Sequence, residues 1–133
     1  MTVVLNPTED SYKGFGMDKA PGYVSWSSEN RSQLVRIPAA VGEYRRAELR
    51  SPDPMANPYL AFTLMIYAAL NGLVNKLDLP EAANINLYKA DAETLAKFKR
   101  MPSSLSDACK AAATSDFIKE HIPAAILDIY CKK

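Results

Sequence analysis

The chain has 133 residues, 48% hydrophobic and 23% charged, enough to bury a sizeable core as one domain or as a piece of a larger one. Its formal net charge of +1 removes the electrostatic case for a nucleic-acid or membrane-surface protein, so any anion site must be local. Cys109 and Cys131 stand far apart without a secretory leader and read as reduced cytosolic thiols, and His121, the single histidine, cannot build a multi-histidine metal site and reads as a surface or packing residue.

In chain order, Tyr23–Ser28 and Gln33–Ile37 have the β-branched, aromatic and alternating character of short strands separated by turns. A third strand over residues 44–50 would complete a small antiparallel sheet. On such a strand side chains two apart share a face, so Arg46, Glu48 and Arg50 point one way while Ala47 and Leu49 point the other. Guanidinium groups bind planar oxyanions through paired hydrogen bonds, and a carboxylate between two of them stays ionised and able to hold a hard cation. The competing reading is an exposed sheet face whose charges pair with one another.

The pattern changes near Pro58. Asn57 caps a helix whose first residue is proline, which there lacks only an N–H that would be unpaired anyway. The helix is expected to run to about Lys76. Tyr59, Leu60, Phe62, Leu64, Met65, Ile66, Tyr67 and Leu70 leave it almost no polar face, the pattern of a buried helix. Asn71, Gly72 and Asn75 break the apolar run short of the ~20 residues a membrane span needs. Further helices are expected over Ala92–Arg100, after Ser103 or Ser104, and over Phe117–Tyr130 with a break at Pro123. The expected class is α+β, strand-rich over residues 1–54 and helical over 55–133. A small sheet and three modest helices are too little to cover Tyr59–Leu70 on every side, so the chain reads as part of something larger.

The motifs Asn6-Pro7-Thr8, Ser11-Tyr12-Lys13, Trp26-Ser27, Asn30-Arg31-Ser32, Arg36-Ile37-Pro38, Glu48-Leu49-Arg50, Pro52-Asp53-Pro54, Asn57-Pro58-Tyr59-Leu60 and Asn86-Leu87-Tyr88 together resemble the C-terminal part of the glutamine synthetase catalytic domain, bacterial type I branch. The motifs stand in order, and the resemblance runs from about residue 6 to about residue 120. The resemblance implies a cytoplasmic ATP-dependent ligase that phosphorylates the side-chain carboxylate of glutamate and lets ammonia displace the phosphate, assembled as a stacked double ring of identical subunits.

By that resemblance, Arg31 is similar to the arginine that contacts the transferred phosphate, a place where cations assist the spreading negative charge. Arg36 and Arg46 are similar to nucleotide-side arginines for ATP. Glu48 resembles a ligand of the bridging metal ion, Mg2+ or Mn2+, and Arg50 resembles the arginine that holds the carboxylate of the amino-acid substrate.

The sequence departs from the family after Ser11-Tyr12-Lys13. Where the family has a glutamate-binding arginine this chain has Gly14, the following loop is shorter by a residue, and Lys19 stands near the position of a closing glutamate, with Asp18 beside it. A lysine cannot help deprotonate ammonium as a carboxylate does. Family members carry most metal ligands upstream of the part seen here, and a longer helical extension after it, so the expectation is an excised domain or a truncated reading frame. Tyr88 resembles the tyrosine adenylylated in some bacterial relatives, although a tyrosine in a polar loop is more often a partly packed surface residue, and Lys89 stands where an acidic residue is expected. Two functional readings follow: a fragment of the ligase, inactive alone, or an inactive family member serving assembly or binding, with a ligase for another amino acid or amine as a variant of the first.

Overall fold

A computed structural model describes residues 1–17 and 20–132 of the chain. Its elements are α1 (Thr2–Leu5), β1 (Trp26–Ser27), β2 (Val35–Arg36), β3 (Glu48–Leu49), α2 (Pro58–Val74), α3 (Ala92–Leu95), α4 (Leu105–Ala113), α5 (Asp116–His121) and α6 (Ala124–Cys131), with short 3-10 turns at Glu9–Tyr12 and Gly42–Tyr44. The α+β class expected from the sequence is the one observed. The chain divides into two compact units, one formed by Met1–Lys13, Pro52–Leu79 and Pro102–Lys133, the other by Gly14–Ser51 and Pro80–Met101.

The first unit is helical. Val3, Val4 and Leu5 of α1 are buried together with Leu64, Leu105, Ala108 and Ile118, and α1 packs against α2, α4 and α6. Helix starts follow the side chains that satisfy their first N–H groups. Asn57 accepts from the backbone of Tyr59 at 3.0 Å and Leu60 at 3.3 Å, Ser104 from Asp107 at 3.1 Å, and Ser115 from Ile118 at 3.3 Å. The break at Pro123 separates α5 from α6. His121 is a packing residue, its ring stacked on Tyr67 with centroids 4.1 Å apart and met edge-on by Phe117 at 4.7 Å.

Two expectations fail in this unit. Cys109 and Cys131 are not free thiols: they form a disulfide joining α4 to α6, with Cα atoms 5.6 Å apart. The chain turns back at Pro123 so that α6 lies along α4, and a separation of 22 residues gave the sequence no sign of that return. Nor is α2 buried. Only Ala61 and Leu64 are, because the neighbouring helices cover one side, while Tyr59 is 82% and Leu73 74% exposed. Among the described residues no helix is long and apolar enough to cross a membrane.

The second unit holds the three-stranded sheet, ordered β1-β2-β3. The pairing is mixed: β2 and β3 are antiparallel, with Arg36 opposite Glu48, but β1 and β2 are parallel. A parallel pair ordinarily needs a crossover of a dozen or more residues. Here each strand has only two residues, and the turn through Asn30 and Ser32 brings the chain back, with the Val35 and Ile37 N–H groups donating to Ser25 and Ser27 carbonyls at 3.0 Å each.

Candidate functional site

In the second unit, polar residues are buried alongside Ala83, Leu87 and Met101. Ser27, Ser32 and Gln33 are fully buried, and each is spent on folding a loop. The Asn30 side-chain carbonyl accepts from both the N–H and the hydroxyl of Ser32 at 2.9 Å, which closes a tight turn and leaves Arg31 on its outer side. Ser32 Oγ accepts from the Leu87 N–H at 2.9 Å, and the Gln33 carboxamide donates to the carbonyls of Ala83 and Ile85. Buried side-chain donors and acceptors thus do for residues 83–87 what a neighbouring strand would do elsewhere. The Asn30-Arg31-Ser32 and Asn86-Leu87-Tyr88 motifs are fastened to one another, and the Tyr88 hydroxyl donates to the Arg31 carbonyl at 3.5 Å.

Arg36, Glu48 and Arg46 meet directly. Arg36 Nη1 donates to Glu48 Oε2 at 3.0 Å across the antiparallel pair, and Arg46 Nε and Nη2 reach Glu48 Oε1 at 3.2 and 3.1 Å. The hydrogen bond from Arg36, with the charge of Arg46 added, holds the Glu48 carboxyl below the usual carboxylate range against the opposing effect of desolvation. The strand that carries Glu48 is shorter than residues 44–50, since Gly42–Tyr44 is a 3-10 turn, but Arg46 still turns back onto Glu48.

Arg31 is exposed, and Arg50 is half-buried on the chain leaving β3, where its N–H donates to the Leu34 carbonyl at 2.9 Å. Arg50 lies near enough to Tyr88 for its charge to favour the phenolate, although desolvation dominates and raises the Tyr88 hydroxyl above its ordinary range. Gly14 has open space where a β-carbon would stand, so nothing in the backbone there bars a larger residue. The segment beyond it closes through a Gly16 N–H to Ala20 carbonyl bond of 2.9 Å, and Gly22 passes so near Gly16 that a β-carbon on it would lie 3.0 Å from the Gly16 Cα. Asp18 and Lys19 lie outside the described residues.

The structure therefore brings Arg36, Arg46 and Glu48 into contact, and it gives Ser27 and Ser32, which the sequence offered only as motif members, and Gln33, which lies in no motif, a loop-shaping role that the sequence reading missed. The Arg36–Glu48 pair was also missed, because it depends on strand register. Buried Ser and Gln beside a short strand carried no distinct signal.

The Glu48 pairing has a pH signature. A carboxyl held low in the folded state stabilises the fold in full above its unfolded value of about 4.3, and that contribution fades as pH falls through the folded value. In low salt, wild type should therefore exceed Glu48→Gln in denaturant midpoint by a constant margin above about pH 5, closing as the medium becomes more acid. A margin unchanged by pH would show that the ion pair adds nothing.

Among the described residues no group of three or more His, Cys, Asp or Glu side chains could hold a metal ion, so Glu48 is a single carboxylate ligand at most. Oε1 is occupied by two nitrogens of Arg46, whereas Oε2 accepts one bond, from Arg36, and has a second lone-pair site that could face a cation.

The whole chain, residues 1–133, matches the family described as glutamine synthetase, catalytic domain. Glutamine synthetase of Methanosarcina mazei is 42% identical over 139 aligned residues, covering 99% of this chain and 30% of the relative. Glutamine synthetase of Staphylococcus aureus is 41% identical, covering 90% of this chain and 27% of the relative. A solved structure, "GmaS/ADP complex-Conformation 1", superposes with a TM-score of 0.82 at 30% identity, covering 98% of this chain and 30% of that one. The chain spans less than a third of the length of each of these proteins.

Proposed function

Because the chain belongs to the glutamine synthetase family, matching its catalytic domain from end to end, we propose that it supplies the phosphate-binding and substrate-carboxylate-binding face of an ATP-dependent ligase joining ammonia to glutamate. The observation that carries this reading is the Arg36–Glu48–Arg46 cluster, an ionised carboxylate held between two guanidinium groups.

When bound, ATP supplies the phosphoryl group that activates the glutamate side chain, and Mg2+ or Mn2+ neutralises charge on the phosphates. Within this chain, Arg31, Arg36 and Arg46 hold phosphate oxygens, and Arg31, on its exposed turn, is the catalytic member. Arg36 and Arg46 are pre-oriented by Glu48, which lowers the entropy lost on gripping an anion. Arg50 fixes the carboxylate of the amino-acid substrate. Glu48 offers one hard oxygen ligand to the cation, whose remaining ligands lie outside the described residues. Family membership and the ADP named for the solved relative support the nucleotide assignment. In this reading the parent enzyme is a cytoplasmic homo-oligomer built as a double ring.

Gly14 favours a second reading, a ligase for another amino acid or amine, or an inactive module. The test is a chimera in which this chain replaces the matching stretch of the Methanosarcina mazei enzyme. It should make glutamine from ATP, glutamate and ammonia, and Arg31→Ala or Glu48→Gln should lower kcat about 10² to 10³-fold. A folded, assembled chimera that makes none, and gains nothing from Gly14→Arg, would overturn the ligase reading.

A further inference from the structure

Strand β1 is the outer strand of its sheet, with β2 on one side and, among the described residues, no strand on the other. The Ser25 carbonyl is turned toward β2, where it accepts from the Val35 N–H at 3.0 Å. A planar trans peptide sets its N–H opposite its C=O, so the Trp26 N–H faces away from β2, and backbone alternation turns the Val24 carbonyl the same way. The two ends of this outer edge are closed. The Val24 N–H donates to the Lys99 carbonyl and the Ala83 N–H donates to the Trp26 carbonyl, each at 2.8 Å. Between those bonds stand the Val24 carbonyl and the Trp26 N–H, which have no hydrogen-bond partner among the described residues.

This stretch of edge lines a cavity of about 480 Å³, which lies wholly within the second unit and is walled further by residues 80–85 and by Thr94, Lys97 and Phe98. A volume of that order suits a ligand of one or two rings. Its aromatic walls are Trp26 and Phe98, and the Trp26 indole is held in place by its N–H, which donates to the Pro80 carbonyl at 2.6 Å.

The lining selects among ligands. An added peptide strand needs a row of free backbone groups, and this edge offers one acceptor and one donor with both flanking groups already bonded. Lys97 and Glu81, both exposed, bring opposite charges to the lining, which favours an uncharged guest over a polyphosphate. A carbonyl and an N–H side by side, between aromatic walls, match the hydrogen-bonding edge of a nucleobase, where a donor and an acceptor sit on neighbouring atoms of a flat ring.

We propose that this cavity binds an uncharged nucleobase or its nucleoside, with the Val24 carbonyl accepting from the base, the Trp26 N–H donating to it, and the ring packed against Trp26 and Phe98. The site is separate from the Arg36–Glu48–Arg46 cluster. Glu48 lies on β3, the far strand, two strand spacings or roughly 10 Å from the outer edge of β1. The proposal does not rest on the ligase reading given under Proposed function.

Trp26 is the single tryptophan of the chain, so its fluorescence reports this cavity directly. Titrating the 133-residue chain with adenosine should change that emission saturably, and proton–nitrogen correlation spectra should show the Trp26 backbone amide moving while the Leu64 amide, in the other unit, stays in place. Adenosine dimethylated on its exocyclic nitrogen has lost the donor that the Val24 carbonyl needs, and should bind at least about fivefold more weakly, the worth of one hydrogen bond. Thr94→Phe, which fills the cavity from a half-buried position, should weaken adenosine binding at least about tenfold with the circular dichroism spectrum unchanged. Should Thr94→Phe lose its fold, Ala82→Leu, on the wall formed by residues 80–85, carries the same test. Arg46→Ala should bind adenosine as wild type does, which separates this cavity from the phosphate-binding face. No saturable response up to the solubility limit of adenosine, equal affinity for the dimethylated form, indifference to the cavity-filling variants, or a response lost in Arg46→Ala would overturn the proposal.

Discussion

Alone, the 133-residue chain is expected to form no glutamine and no γ-glutamyl phosphate when given ATP, glutamate, ammonia and Mg2+. Phosphoryl transfer needs cations placed on both sides of the transferred group, and a hard divalent ion takes several oxygen ligands. This chain offers Glu48 and, among its described residues, no cluster of carboxylate, cysteine or histidine side chains around it. Arginines by themselves bind and orient phosphate but do not complete such a site. Turnover above blank by the purified chain, persisting through a second purification and abolished by Glu48→Gln, would show that the chain holds a complete active site.

Reduction of the Cys109–Cys131 bridge should lower stability by about 3 kcal/mol, the loop-closure entropy expected for a bridge spanning 22 residues. The effect should be concentrated in α6. None of its residues is buried, so apart from its packing on α1 and α4 it is held mainly by that bond. Urea melts with and without a phosphine reductant should differ by that amount, and a Cys109→Ser, Cys131→Ser double variant should match the reduced protein and ignore the reductant. Coincident curves would mean that the bridge does not constrain the unfolded chain. In a reducing cytoplasm the thiols predominate, and the lower value applies there.

What the sequence disclosed was local. Asn57 with Pro58, and Ser104, mark helix starts because a side-chain oxygen two or three residues ahead of an N–H is a short-range fact. The α+β class and the break at Pro123 were legible for the same reason. The exposed side of α2 was foreseen only as a shortage of neighbours, since an apolar helix does not say which of its faces is covered. Longer-range relations were hidden. The parallel β1-β2 pair depends on a tight return through Asn30 and Ser32, the Cys109–Cys131 bridge on the packing of α6 along α4, and the Arg36–Glu48 bond on strand register. At the site, alternation expected Glu48 between Arg46 and Arg50 on one strand face, whereas the strand is only Glu48–Leu49 and the arginines that meet Glu48 are Arg46 and, across the sheet, Arg36, which the family resemblance had named along with Arg31. The buried work of Ser32 and Gln33 needed the fold, because a polar side chain looks alike in sequence whether it faces water or closes a loop.

Steady-state kinetics of the chimera, varying glutamate and ATP in turn for Arg50→Ala and Arg36→Ala, test the division of labour among these arginines most directly. Arg50→Ala should raise KM for glutamate and leave KM for ATP near wild type, and Arg36→Ala should do the reverse. Equal effects of both variants on both substrates, or an unchanged KM for glutamate in Arg50→Ala, would contradict the assignment of a nucleotide side and an amino-acid side to this face.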